Sequence, residues 1–323
     1  MDYRTDELCG RRRIKTHDIT TPLLVPSFSS KGFPNLKVIW KYLNPYLPNT
    51  ILVSCYDIYH NLIELKDDAN LVFLDSGGYE TNVDTDLPNI DQRLHQPRQW
   101  NKDKHFETLR GIESLNTCVT ISFDNPGVSV SDQIADAEEY YLNGYAVSLD
   151  FLLKPSQGDI IDIGEIRNNV DKLSQFDILG ITEKELGHSI ADRMRAIADL
   201  RMMLSERGLD IPIHIFGCFD PASIWLYFLC GADVFDGLSW LRYSFVAAIG
   251  MYRNSWAILT EQIKLNDQDI LYKSCLDNIQ LFVQNQRKMT KFVDDYDRSY
   301  ISIDSNQAER LLNSIGISLE GKE

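Results

Sequence analysis

Three aspartates, Asp75 in LVFLDSGGYE, Asp124 in VTISFDNPG and Asp236 in GADVFDGLSW, each follow a run of mostly apolar or β-branched residues and shortly precede glycine or proline. That is the pattern of a buried parallel strand emptying into a loop. Strand ends of this kind converge where α/β folds carry their chemistry, so three carboxylates there imply nucleophilic or acid–base work in one pocket. Each acid also has a purely structural reading. Asp75 can cap the turn that its paired glycines permit. Asp124 can hydrogen-bond its own Asn-Pro-Gly turn. Asp236 sits in a turn dipeptide, although the neighbouring Phe235 and Leu238 imply partial burial, where a carboxylate needs a partner. His214, inside the apolar run IPIHIFG, reads as a satisfied core histidine and is left out of the chemistry.

The elements that must position these acids alternate along the chain. Strands are expected at 23–28, 50–56, 71–75, 117–124, 145–153, 176–182, 211–217 and 232–237, and eight is the strand number of a (β/α)8 barrel. Helical patterns lie between the later ones. In the clearest, Ile190, Met194, Ile197 and Leu204 share a face, Ser189 with Asp192 forms a capping box and Gly208 is a stop. Such alternation predicts a parallel sheet. After Asp236 the chain turns helical, with Ile270, Leu271, Cys275, Ile279 and Phe282 or Val283 on one face. The expected organisation is an α/β barrel over 1–250 and a helical C-terminal extension over 251–323, packed on the barrel.

At 323 residues, with 44% hydrophobic and 11% aromatic residues, the chain can bury a large single core. Its longest apolar stretches fall far short of the ~20 residues that span a bilayer, and MDYRTDELCGRRRIKT carries charges where an export signal needs an apolar stretch. A cytoplasmic protein with no membrane partner is expected. The six cysteines form no C-x-x-C pair and the six histidines no H-x-x-x-H or H-x-H pair, so reduced thiols, no metal site and no cofactor are expected. A net charge of −15 opposes nonspecific binding to a polyanion, so any nucleic-acid contact must be local. Arg11, Arg12 and Arg13 form one candidate. The segment DQRLHQPRQWNKDKH forms the other, with Arg93, Arg98, Lys102 and Lys104 interleaved with His95, Trp100 and His105. The alternative for both is an ordinary solvated charge run.

Taken in order, GRRRIKTHDITTPLLVP, DSGGYE, SFDNPG, LGITEKE, HIFGCFDP and GADVFDG resemble the motifs of the tRNA-guanine transglycosylase family. Its members exchange a guanine for a free 7-deazaguanine base such as queuine or preQ1. The resemblance spans most of the chain and implies a (β/α)8 barrel. It further implies that Asp236 is the nucleophile that attacks C1′ of the sugar, and Asp75 the general acid/base that manages the proton of the departing and incoming bases. Asp124 would accept from the N1–H and 2-amino edge of guanine, with the backbone of Gly180 and Ile181 donating to the base. Tyr79 and Phe216, followed by Gly217, match positions that sandwich the base.

The departures carry information as well. The family's C-terminal zinc site is missing, since that region keeps only Cys275 and no histidine, and WLRYSFVAA retains Arg242, by resemblance a nucleic-acid contact, but puts Phe245 where a second arginine is usual. Lys154 in LLKPS stands where a glutamine reads the base, which implies a different incoming base. The resemblance therefore implies a zinc-less, DNA-acting branch, with DNA preferred to tRNA. A duplex target must have its guanine extruded, and a protein this acidic would need a partner protein to open or present it. Two other readings stay open: a glycosidase acting on a free guanine or 7-deazaguanine nucleoside or nucleotide, and a noncatalytic tRNA-binding subunit, against which the presence of all three aspartates argues.

Overall fold

A computed structural model describes residues 3–33, 35–65, 71–81, 96–112 and 117–321. Among them, eight parallel strands close a barrel in sequence order: β1 Leu23–Phe28, β2 Thr50–Ser54, β3 Leu71–Asp75, β4 Cys118–Ile121, β5 Leu149–Leu153, β6 Ile178–Thr182, β7 Ile213–Phe216 and β8 Val234–Gly237, with β8 pairing back onto β1. The protein is thus an α/β protein of the (β/α)8 type. Every predicted strand is present, although β4 and β7 are shorter at both ends, β5, β6 and β8 at the start and β2 at its end. Asp75 ends β3 and Asp236 is the penultimate residue of β8, whereas Asp124 lies three residues beyond β4, in the loop.

The two-residue period of these strands builds two cores. Inward side chains such as Val25, Leu52, Phe73, Ile121, Leu152 and Val234 fill the barrel, and outward ones such as Leu24, Val53, Leu74, Phe151, Leu179 and Phe235 meet the helices. Each such side chain stabilises the fold by roughly 1.5–3 kcal/mol through removal from water. The surrounding helices are α1 Leu36–Leu43, α2 Cys55–Tyr59, α3 Lys102–Arg110, α4 Val130–Leu142, α5 Ile163–Asn169, α6 Ile190–Glu206, α7 Pro221–Leu229 and α8 Asp267–Asp295. The expected capping box at Ser189 and Asp192 opens α6. The C-terminal α8 packs on the barrel: Phe282 stacks on Phe219 at 4.1 Å, Trp225 donates to Asn285 at 2.9 Å, and the Leu24 amide donates to Gln286 at 2.9 Å. The hairpin of Arg13–Ile14 and Ile19–Thr20 closes the floor by inserting Ile14 into the inner core.

That floor corrects one expectation. Arg12 is buried against Asp233 at 2.8 Å, Arg11 pairs with Asp294 and Arg13 with Asp18. The arginine cluster thus lies at the end of the barrel opposite the three aspartates and is met by the protein's own acids. No helix among the described residues is long and apolar enough to cross a membrane.

Candidate active site at the barrel mouth

Asp236 is addressed from three sides. Ser27 Oγ donates to Oδ2 at 2.6 Å, and the Gly217 amide donates to Oδ1 at 3.0 Å. Gly217 directs that amide from a φ of +78°, a conformation that a side chain disfavours. His214 Nε2 faces Oδ1 at 3.4 Å, while its Nδ1 lies 2.6 Å from Asp150 Oδ2. Burial alone would strip the imidazole of its charge, but Asp150 and then Asp236 outweigh it and hold His214 at about 9. Asp150 itself is raised by burial, with His214 opposing. The turn helix Ser239–Arg242 fixes this corner, since Trp240 Nε1 donates to the Ser27 carbonyl at 3.0 Å.

Across the mouth, the DSGG turn holds two acids side by side. The Gly77 amide donates to Asp75 Oδ2 at 3.0 Å, and Ser76 Oγ donates to Asp124 Oδ1 at 2.9 Å. Neither glycine has room for a side chain: a Cβ on Gly77 would fall 2.6 Å from Trp100 Nε1, and one on Gly78 would fall 2.5 Å from Asp124 Oδ2. Asp75 is pushed well above the usual carboxylate range by burial, then by the neighbouring Glu80 and Asp124, with the Gly77 amide opposing and Asp236 adding to the rise. Its proton affinity is therefore raised relative to that of an ordinary carboxylate.

Behind Asp75 sits a second layer. Glu80 accepts from Ser29 and, at 2.8 Å, from Ser54; burial and Asp57 raise it to about 7. Asp57 accepts from the Ser30 amide at 2.8 Å and is raised to about 6 by burial, against the Ser30 hydrogen bonds. Both acids hold protons to higher pH folded than unfolded, so the folded chain binds more protons and stability falls as pH climbs from the ordinary carboxylate range to about 7. Glu80→Gln, whose amide the two serine hydroxyls can rotate to meet, is expected to flatten this fall and raise the thermal midpoint at pH 8 by a few degrees. The same decline in the variant would show that Glu80 does not titrate there.

The expected base-binding residues gather at this end, with changes of role. Lys154 Nζ lies 3.6 Å from Asp124, 3.1 Å from Glu185 and 2.8 Å from Thr182 Oγ1. Burial works against its charge, yet Asp124 and Glu185 prevail and hold the ammonium above the ordinary lysine range. It is a cation bound to the acid beside it. Tyr79 receives a hydrogen bond from Arg242 at 2.8 Å and has Lys31 over its ring at 4.1 Å. Phe216 lies against His214 with ring centroids 3.9 Å apart. Gly180 and Ile181 sit mid-strand in β6, paired with Leu152 and Leu153 on one side and His214 and Ile215 on the other. Their backbone groups belong to the barrel ladder, which corrects the expectation that they donate to a base. What Gly180 provides is space, because a Cβ there would collide with the Phe216 ring and Asp150.

Of the nucleic-acid candidates, Arg93 and His95 lie outside the described residues. Arg98 is exposed, and its amide donates to Tyr56 Oη at 2.8 Å. Lys102 pairs with Glu139 at 3.0 Å and approaches Asp136 at 3.9 Å, and Lys104 bonds the Gln99 carbonyl at 2.7 Å. Trp100 donates to the Ser76 carbonyl at 2.8 Å, so this segment braces the DSGG turn. His105 is buried, its proton affinity driven down to about 3 by burial and then Lys102. A cavity of about 240 Å³ opens beside Asp124, walled by residues such as Ser122, Phe123, Gln133 and Tyr140, and Asp75 and Asp236 do not line it. Among the described residues no group of three or more His, Cys, Asp or Glu side chains is placed to hold a metal ion. No protein-family model matches the sequence, and no curated protein does either.

Asp150, His214, Glu80 and Asp57 escaped the sequence reading as site residues. The signal for the first two was the strand period, which puts Asp150 on the same face as Leu152 and His214 on the same face as Phe216. Asp57 and Glu80 lie in helical turns just after strand ends, where no such period points inward.

Proposed function

We propose that the chain is a cytoplasmic base-exchange glycosyltransferase. It removes guanine from a nucleic acid, DNA ahead of tRNA, and installs a 7-deazaguanine through a covalent bond between Asp236 and the sugar. The observation that carries this reading is the contrast between two carboxylates in one mouth. Asp236 is hydrogen-bonded by Ser27 and Gly217 and faces His214, while Asp75 has the Gly77 amide and has its proton affinity raised by burial and its acidic neighbours. A hydrogen-bonded carboxylate beside a proton-holding one is what double displacement at an anomeric carbon requires.

In the first step Asp236 attacks C1′, the C1′–N9 bond breaks with its electron pair passing to guanine, and Asp75 gives that base its proton. In the second, the incoming base attacks C1′, its N9 proton returns to Asp75, and the ester bond breaks to restore Asp236. Asp124 and Lys154 would meet the base edge together, and Tyr79 and Phe216 would stack on its faces, worth ~1–3 kcal/mol per base. A chain of net charge −15 would take a duplex with a partner protein that opens it.

One observation favours a second reading, a glycosidase of free nucleosides or nucleotides: Lys102 and Arg242, expected to meet a polymer, are bonded to Glu139 and Tyr79. The two readings separate by experiment. Labelled guanine is incubated with the protein and duplex DNA, single-stranded DNA, tRNA or guanosine. Label entering a polymer supports base exchange; free guanine released from guanosine without a polymer supports the glycosidase; neither product, with or without cell extract to supply a partner, overturns both.

A further inference from the structure

Asp150 and His214 lie beneath the floor of the mouth, and neither has any exposed surface. Asp150 comes from β5 and His214 from β7. Between them β6 contributes Gly180, whose missing side chain lets the carboxylate and the Phe216 ring fill one space. Phe73 meets the imidazole edge-on at 5.6 Å, and Phe216 covers its face. Nδ1 is fixed by Asp150, and Nε2 has no hydrogen-bond partner closer than the 3.4 Å contact with Asp236. A buried carboxylate–imidazole pair is costly to desolvate, and apolar side chains of similar volume would stabilise a barrel as well. Its contribution is therefore sought in Asp236.

We infer that Asp150 and His214 form a positioning brace for Asp236, in which the imidazole, oriented by Asp150, holds Oδ1 and leaves Oδ2 turned to the sugar. The inference rests on the proposed role of Asp236. Oδ1 receives both the Gly217 amide and His214, whereas Oδ2 receives the Ser27 hydroxyl, so Oδ2 is the oxygen with a lone pair to spend. When Oδ2 becomes the ester oxygen, Oδ1 becomes the carbonyl oxygen and keeps its contacts. When the ester breaks, negative charge returns to a carboxylate that already faces an imidazolium. The brace thus favours departure of Asp236 more than its attack, and weakening it should let the covalent intermediate accumulate.

The test uses Asp150→Asn, His214→Gln, which keeps a donor near the Nε2 position, and His214→Phe, which keeps the volume alone. Selective nitrogen-15 labelling of the six histidines reads the protonation of both imidazole nitrogens at pH 7. Both should be protonated in the unaltered protein, and Asp150→Asn should give a neutral ring. Turnover should fall at least tenfold in Asp150→Asn and His214→Phe with KM little changed, the adduct seen by intact mass should rise at steady state, and His214→Gln should fall in between. A neutral His214 in the unaltered protein, or variants that turn over at the unaltered rate or lose only substrate affinity, would overturn the brace. If the unaltered protein exchanges no base, the proposed reaction fails while the nitrogen shifts still decide whether the brace exists. His214→Gln keeps the test open should Asp150→Asn fail to fold.

Discussion

Asp236→Asn is expected to abolish adduct formation and to lower base exchange by about 10³-fold or more, the scale on which removal of a covalent nucleophile acts, while the protein stays folded. The fold survives because an amide can replace most of what the carboxylate does: its oxygen still accepts from Gly217, and its nitrogen can donate to Ser27, whose hydroxyl rotates. The reaction does not survive, because an amide cannot form the ester. Asp75→Asn is expected to behave differently. It removes a proton donor, worth roughly 10²–10⁴-fold, and the loss should depend on the leaving base. An N7-methylated guanine departs as a neutral molecule without taking up a proton, so a substrate carrying it should restore much of the Asp75→Asn rate and none of the Asp236→Asn rate. Adduct yield by intact mass, with circular dichroism as the check on folding, reads both. Equal rescue of the two variants, or an adduct persisting in Asp236→Asn, would remove Asp236 from the reaction.

The barrel was legible because its strands are short, mostly apolar runs, several of them closely followed by glycine, proline or an acid, a signal that depends on near neighbours in sequence alone. Asp75 and Asp236 were legible for the same reason: they terminate such runs. Asp124 looked the same in sequence, yet the strand stops at Ile121 and the acid stands in the loop, held by Ser76 from the turn after β3. What sequence could not carry was adjacency between strands. His214 in IPIHIFG has apolar neighbours on both sides and reads as core, and it is buried as core is. Its partners Asp150 and Asp236 come from β5 and β8, and only closure of the barrel brings them to its two nitrogens. Lys154 reads as a lone cation in sequence, which gives no sign that Asp124 and Glu185 flank it. The arginine run at 11–13 fails in the opposite sense. Three adjacent cations suggest a solvated patch, but Arg12 folds under the floor because a buried acid waits there.

That acid sets the largest stability effect expected in the chain. Asp233→Ala should destabilise the protein by roughly 3–5 kcal/mol, the cost of leaving buried charge without its partner. Asp233 is buried and receives Arg12 at 2.8 Å on Oδ1; Arg201 and, at 2.8 Å, the Ile213 amide share Oδ2. Arg201 has no exposed surface, and its other nitrogens serve the carbonyls of Gly231 at 3.0 Å and Ile211 at 2.9 Å. Burial, with Arg12 adding its repulsion, already pulls Arg201 down to about 10 against the attraction of Asp233. With the carboxylate gone, two guanidiniums would face each other across an empty site and the β7 amide would lose its acceptor. Urea unfolding should show a midpoint well below that of the unaltered protein, and a loss under about 1 kcal/mol would mean that water reaches the floor and screens the pair. Asp233 immediately precedes β8 and Asp236 is its penultimate residue, about 10 Å apart along extended chain, yet their variants should have opposite signatures. Asp233→Ala should weaken the fold while any protein that remains folded keeps its chemistry; Asp236→Asn should keep the fold and lose the chemistry. Barrels of this type separate stability and function between their two ends, and β8 reaches both.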